Sequence, residues 1–318
     1  MLAPDAPDHG QRLDAYLAAQ LGLSRSAVAD LISAGQVLVD GQIRKPAFKV
    51  APGQAIAVNR PDAPAPAGLT PQDLPLQVLY TDEAIIVIDK PAGLTVHPGA
   101  GQSEGTLANA LLCHFPDIVG VGEELRPGIV HRLDRLTSGV MVVARSAEAL
   151  SVLTKAFKNH EQRRIYQALC WGHMPHAQGR IETLFGRHPK DRKRMSSRVS
   201  EGRTAITNWR VLQTWPGLSR LELELETGRT HQIRVHLADL NHPVVGDPLY
   251  GGRSRSAGIK DADLRLHLAA IERQMLHACL LGLKHPVSGE YLEFRSPLAD
   301  DMQALITALD QAATGARF

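Results

Sequence analysis

Residue types able to do chemistry gather at four places in this 318-residue chain. The first is the polar segment 126–139, which contains His131-Arg132-Leu133-Asp134-Arg135 and runs directly into the apolar stretch 140–143. A loop at the end of a buried strand can hold a reactive group rigidly while leaving it reachable. On its residues alone, the segment also fits an ordinary surface ion pair of Asp134 with Arg132 or Arg135. The second place is Arg164-Ile165-Tyr166, where Tyr166 by itself reads as a core or cross-strand aromatic. The third is Thr227-Gly228-Arg229-Thr230-His231-Gln232-Ile233-Arg234-Val235-His236, in which Arg229 lies between a strand end and a helix start, ordinarily a surface position. The fourth, from 187 to 203, sets seven Arg and Lys, among them Arg187, Arg192, Lys193 and Arg194, against Asp191 and Glu201. Such a run is by default a solvated loop. Because His131, Asp134, His231 and His236 fall in these same places, a metal hydrolase is also a reading. Zinc pairs on a helix stand at i, i+4, however, whereas His231 and His236 are i, i+5 and diverge around it, and H-E-x-x-H is absent. His131 is expected to be a hydrogen-bonded structural member of its loop.

The elements that position these groups follow from hydrophobic period. Residues 78–80 and 85–88 read as strands, 140–143 as a buried strand, and 165–171 as another. Leu150, Leu153 and Phe157 share one face of a helix opened by Ser146. From Leu221 the alternation Leu-Glu-Leu-Glu-Leu-Glu predicts a strand with one wet face, after which Thr230 can cap a helix presenting Ile233, Leu237 and Leu240. Residues 276–283 and 291–294 add strands. Irregular order without a βαβ repeat predicts an α+β fold with a mixed, mostly antiparallel sheet. Lys90, in Asp89-Lys90-Pro91, fits either an RNA contact or a turn lysine, and residues 252–266 read as a mobile loop.

Composition bounds the class. With 44% apolar and 21% charged residues and no apolar run of membrane-spanning length, the chain reads as soluble and globular. Three scattered cysteines argue against a disulfide framework, and an N-terminus without basic and apolar signal regions makes the cytoplasm the expectation. A net charge of +2 is too small to imply an overall polyanion binder, so any nucleic-acid argument rests on clusters. The Pro/Ala-rich stretch from Pro61 reads as a linker, dividing the chain into 1–60, 61–76 and 77–318. In the first part Leu13, Tyr16, Leu17 and Leu21 recur at helical spacing up to Gly22. Ser24 can cap a second helix with Val28, Leu31 and Ile32 that ends at Gly35. A hairpin turning at Asp40-Gly41 and a strand at 56–58 follow.

That order resembles the S4 RNA-binding module, on Arg12-Leu13-Asp14, Ser24-Arg25, Gly35-x-Val37-x-Val39-x-Gly41 and Lys45, over residues 11 to 58. The resemblance implies that Arg12, Arg25 and Lys45 contact RNA phosphates. The larger part is similar to the RluA-type RNA pseudouridine synthases, whose signature His-Arg-Leu-Asp followed by Thr-Ser-Gly is present at all seven positions. Matches around Arg164-Ile165-Tyr166, Thr227 to His236, Asp89 to Pro98, Gly246-Asp247-Pro248-Leu249-Tyr250-Gly251 and Arg273 to Ala278 extend the likeness over about 77 to 300. It implies that Asp134 is the nucleophile, that Tyr166 stacks on the target base, and that Arg229 forms an ion pair with Asp134. Arg132 and Ile233 would bind substrate, Ile233 as an apolar wall. The family usually has lysine where Arg164 stands.

The implied reaction detaches uracil from C1′ through N1, turns it and reattaches it through C5, without cofactor or metal. A carboxylate can be the whole covalent apparatus. In a closed pocket desolvation opposes its charge and a permanently charged guanidinium favours it. Attack on the sugar, attack on the base and removal of a sugar proton all stay open. The basic run 187–203 resembles the loop of those members that act on large-subunit ribosomal RNA, making that RNA or its precursor particle the expected partner, with a monomer as the working state. A transfer-RNA synthase of the same family and a non-catalytic ribosome-associated RNA-binding protein are the alternatives.

Overall fold

The computed structural model describes residues 2–21, 25–59, 68–99, 101–251, 255–256 and 259–315. The helix stop at Gly22, the cap at Ser24, the linker from Pro61 to residue 67 and part of the 252–266 loop lie outside the described residues. The chain forms two compact units, Met1–Gly68 and Leu69–Phe318.

In the first unit, α1 (Leu13–Leu21) and α2 (Arg25–Ser33) precede β1 (Val37–Val39), β2 (Gln42–Ile43) and β3 (Ile56–Val58). Strand β1 pairs antiparallel with both others. Asp40 and Gly41 both have positive φ, as a two-residue hairpin turn of this hand requires. Leu13, Tyr16 and Leu17, one helical face, bury against Val28, Ile32, Val37, Val39 and Ile56. Asp14 on the same helix is buried too, and its carboxylate accepts bonds from Arg12 (2.9 and 3.0 Å) and Arg25 (3.2 and 3.3 Å). The Arg12 hydrogen bond leads in holding its pKa down at about 2.

The second unit is built on a sheet of β4 (Gln77–Thr81), β5 (Ile85–Lys90), β6 (Ser138–Ala144), β7 (Arg163–Trp171), β8 (Gln178–Arg187), β9 (Met195–Ser196), β10 (Arg203–Trp215), β11 (Leu218–Leu225), β12 (Leu276–Lys284) and β13 (Tyr291–Arg295). Its order is β4-β5-β6-β12-β7-β11-β10-β8-β9, with β13 on β12. Among the described strand pairs only β6–β12 is parallel. The helices are α3 (Leu107–His114), α4 (Ala147–Asn159), α5 (Gln232–Asp239), α6 (Ala262–Ala269) and α7 (Asp300–Thr314), so the fold is α+β with a mixed, mostly antiparallel sheet. Every residue of β6 is buried, which is why its apolar run shows no alternation. Gly139 permits the β6–β12 approach, because a Cβ there would meet Ala278 O at 2.2 Å. In β11, Leu221, Leu223 and Leu225 point inward and pack with Ile233 and Leu237 of α5. Ser146 caps α4 through Ala149 N, as its sequence indicates.

Thr230 does not cap α5. The helix starts at Gln232 after His231, whose φ of 61° is left-handed and whose side chain makes no capping bond. The turn is satisfied from within instead: Gln232 Oε1 accepts from Arg229 N at 3.0 Å and from Thr227 Oγ1 at 2.8 Å. All of residues 232–237 are buried. Among the described residues no helix is long and apolar enough to cross a membrane.

Candidate active site

The loop ahead of β6 is fixed from three sides. His131 Nε2 accepts Val142 N at 3.0 Å, and its ring stacks on Phe157 of α4 at 4.5 Å between centroids. Burial, with Arg164 adding to it, pushes the His131 pKa down to about 3, so the ring is a neutral acceptor with the structural role its sequence suggests. Gln274 donates to Thr137 Oγ1, and Thr137 N to Asp134 O. Lys90 is neither an RNA contact nor an ordinary turn lysine. It is fully buried, and its Nζ donates to Pro91 O (2.7 Å), Leu94 O (2.9 Å) and Arg135 O (3.2 Å), tying the end of β5 to the residue after Asp134. Burial is the main reason its pKa falls to about 7.

The guanidinium on Asp134 belongs to Arg234, not Arg229. Arg234 Nη1 donates to Asp134 Oδ2 at 2.9 Å, while its Nε and Nη2 clamp Asp247 at 2.7 and 2.9 Å. Asp247 is itself locked by Leu249 N and Tyr250 N, the amides of its own turn. Burial would lower the Arg234 pKa, but the two carboxylates outweigh it and raise the pKa above the usual arginine value. The tight turn at His231 accounts for the exchange of arginines. Arg229 stands before that turn, where its Nε donates to Thr204 O at 3.2 Å, whereas Arg234 rides the buried first turn of α5. Arg229 still lines the cavities that contain Asp134.

Asp134, Tyr166, Ile233 and Arg229 meet around a recess of about 60 Å³. A neighbouring cavity of about 540 Å³ shares Arg132, Asp134, Tyr166 and Arg229. Tyr166 lies on β7 opposite Leu223 and Ala278, is partly buried, and has its pKa raised to about 12 by burial, so it stays a neutral phenol. Ile233 is buried and supplies an apolar wall. His231 Nε2 is 3.8 Å from Asp134 Oδ2. Its Nδ1 bonds the Tyr250 hydroxyl at 2.9 Å, which also accepts Met195 N at 2.8 Å, and burial first lowers its pKa. Both nitrogens of His236 are occupied by Thr207 and Thr183 hydroxyls, and among the described residues no three His, Cys, Asp or Glu side chains group as metal ligands.

The basic run is divided in the structure. Arg187, Arg192 and Lys193 are exposed around the β8–β9 hairpin, but Arg194 turns inward with its guanidinium 5.1 Å over the Tyr250 ring. In the other unit Lys45 is exposed, while Arg12 and Arg25, about half exposed, are both tethered to Asp14. Sequence reasoning missed Arg234, Asp247, Tyr250 and the burial of Lys90. One signal was present: a cation inside the run Gln232-Ile233-Arg234-Val235-His236-Leu237 needs a buried counter-charge.

Residues 84–239 match the RNA pseudouridylate synthase family, and residues 11–56 match the S4 domain. Ribosomal large subunit pseudouridine synthase D of Escherichia coli (strain K12) is 44% identical over 94% of this chain and 91% of that protein. An uncharacterized RNA pseudouridine synthase of Chloroflexus aurantiacus is 47% identical over 96% and 92%. The structure of human RNA pseudouridylate synthase domain containing 1 aligns with a TM-score of 0.54 and 26% identity over 75% of this chain and 96% of that one. That of human domain containing 4, with a TM-score of 0.56 and 24% identity over 74% and 93%, shares the fold. With the seven-residue signature around Asp134, an S4 domain ahead of it and relatives of this likeness across nearly the whole length, the chain belongs to the RNA pseudouridylate synthase family.

Proposed function

We propose that this protein converts uridines of large-subunit ribosomal RNA to pseudouridine, with Asp134 as the reacting carboxylate. The observation that carries the reading is Asp134 held by Arg234 at 2.9 Å in a recess shared with Tyr166 and Ile233. A flipped-out uracil stacks on Tyr166 against Ile233, and Asp134 faces its sugar. The N1–C1′ bond breaks, the base turns, and a C5–C1′ bond forms; C5 loses its proton and N1 gains one, so the reaction is redox-neutral. Arg234 holds a fixed positive charge opposite the carboxylate throughout. The S4 unit, through Arg12, Arg25 and Lys45, and the exposed Arg187, Arg192 and Lys193 contact phosphates and position the RNA without reading bases. Such a substrate puts the work in the cytoplasm.

Pseudouridine maps of large-subunit ribosomal RNA and of transfer RNA, from cells with and without the gene, test the assignment. Sites lost from the ribosomal RNA with transfer RNA unchanged are the expected result. Loss confined to transfer RNA overturns the substrate.

A further inference from the structure

The larger cavity beside Asp134 is lined by five cations and one carboxylate. Arg132, Lys158, Arg164, Arg203 and Arg229 line it, and Asp134, the carboxylate among its lining residues, already has Arg234. Arg164 stands out. It is 8% exposed, yet no carboxylate pairs with it among the described residues, and its buried Nε has no hydrogen-bond partner. Among the described residues its hydrogen bonds run from Nη2, to Leu225 O at 3.4 Å and Glu226 O at 3.3 Å. A Cβ at residue 228 would stand 2.5 Å from Arg164 Nη1, so Gly228 leaves the space that this guanidinium occupies. Burial lowers the Arg164 pKa, and Arg229 adds to the effect. A buried cation without a counter-charge is costly to the free protein, and the cost is relieved by an anion brought from outside. The planar fork of a guanidinium matches a phosphodiester, and a nucleotide that swings its base onto Tyr166 carries its phosphates into the same cavity.

We propose that Arg164, with Arg203 and Arg229, forms a subsite for the phosphodiester adjoining the uridine presented to Asp134. The proposal rests on the uridine reading of this cavity and adds the group that anchors the nucleotide's backbone there. Affinity for a large-subunit ribosomal RNA transcript, measured across a potassium chloride series together with single-turnover pseudouridine formation, tests it on wild type, R164Q, R164K and G228A. R164Q is expected to bind about tenfold more weakly, the loss of a charge-assisted contact. Its slope of log affinity against log salt is expected to be shallower by about 0.7 to 0.9, the share of one phosphate contact. Its thermal midpoint should not fall, because an unpaired buried charge has gone. R164K is expected to keep the wild-type slope, and G228A, which crowds the same guanidinium, to shift affinity in the direction of R164Q. A wild-type slope in R164Q, a slope in R164K equal to that of R164Q, unchanged affinity in G228A, or an R164Q chain that does not fold each overturns the subsite alone. A wild type that binds the transcript and forms no pseudouridine overturns the uridine reading and the assignment of the subsite with it.

Discussion

Arg234 serves Asp134 well because it is anchored elsewhere. Asp247 takes two of its nitrogens, and the turn 247–250 in turn holds Asp247, so the third nitrogen meets Asp134 without a search over rotamers. The Tyr250 ring lies 5.1 Å from both the Arg234 and Arg194 guanidiniums, and its hydroxyl joins Met195 N to His231. Tyr250→Phe therefore keeps the ring and removes the link between the basic hairpin and the histidine near Asp134. It is expected to cost about 1 kcal/mol of stability and to slow single-turnover conversion several-fold, the worth of a buried hydrogen-bonded hydroxyl. Denaturant midpoints and rapid-quench rates read both; a wild-type rate would mean the link does not position the site. At this scale Asp134, Tyr166 and Ile233 were legible because the motif surrounding each is local in sequence. The partner of Asp134 was not, because the left-handed turn at His231 decides which arginine of the motif faces inward, and that turn is built by Gln232 rather than by a glycine or a recognised cap.

The strands were readable where apolar residues fill the buried positions, on one face as in β11 or throughout as in β6. The segments that became β8 and β10 escaped notice because their inward positions include Thr, Gly and Ala among exposed polar residues, which leaves too weak an apolar period. They matter here, since β8 and β9 carry the basic hairpin and β10 supplies the carbonyl that holds Arg229. Only part of that hairpin's charge faces outward. Replacing Arg192 and Lys193 by Ala, while leaving Arg194 on Tyr250, is expected to weaken RNA binding and to flatten its salt slope by about 1 to 2, with the fold unchanged. Filter binding across a salt series checks it, and an undiminished slope would show that the hairpin does not meet phosphate. Lys90 acts at this scale too, because its three carbonyl bonds couple the end of β5 to the loop of Asp134 through the backbone.

Across the whole molecule, the two units differ in how acid affects them. His131 and His236 in the larger unit have pKa values pushed down by burial to about 3 and about 4, from an ordinary 6.5. The unfolded chain takes up protons near 6.5 while the native rings refuse them, so the stability that depends on neutral rings is complete above 6.5 and is lost as pH falls toward about 3. Asp14 in the smaller unit, at about 2 against an ordinary 3.8, keeps its contribution until pH falls below the usual carboxylate range. Calorimetric scans at stepped pH should therefore show the transition of the larger unit moving down first. A transition that does not move between 6.5 and about 3 would contradict the neutral, buried state of these histidines.

Single-turnover pseudouridine formation on a large-subunit ribosomal RNA transcript by Asp134→Asn and Arg234→Gln shows whether Asp134 opposed by Arg234 is the reacting apparatus. Asp134→Asn is expected to give no product with RNA affinity roughly unchanged, and Arg234→Gln a rate lower by about 10²-fold or more, the usual cost of removing one preorganised electrostatic partner from a reacting group. Substantial turnover by Asp134→Asn would remove Asp134 from the reaction.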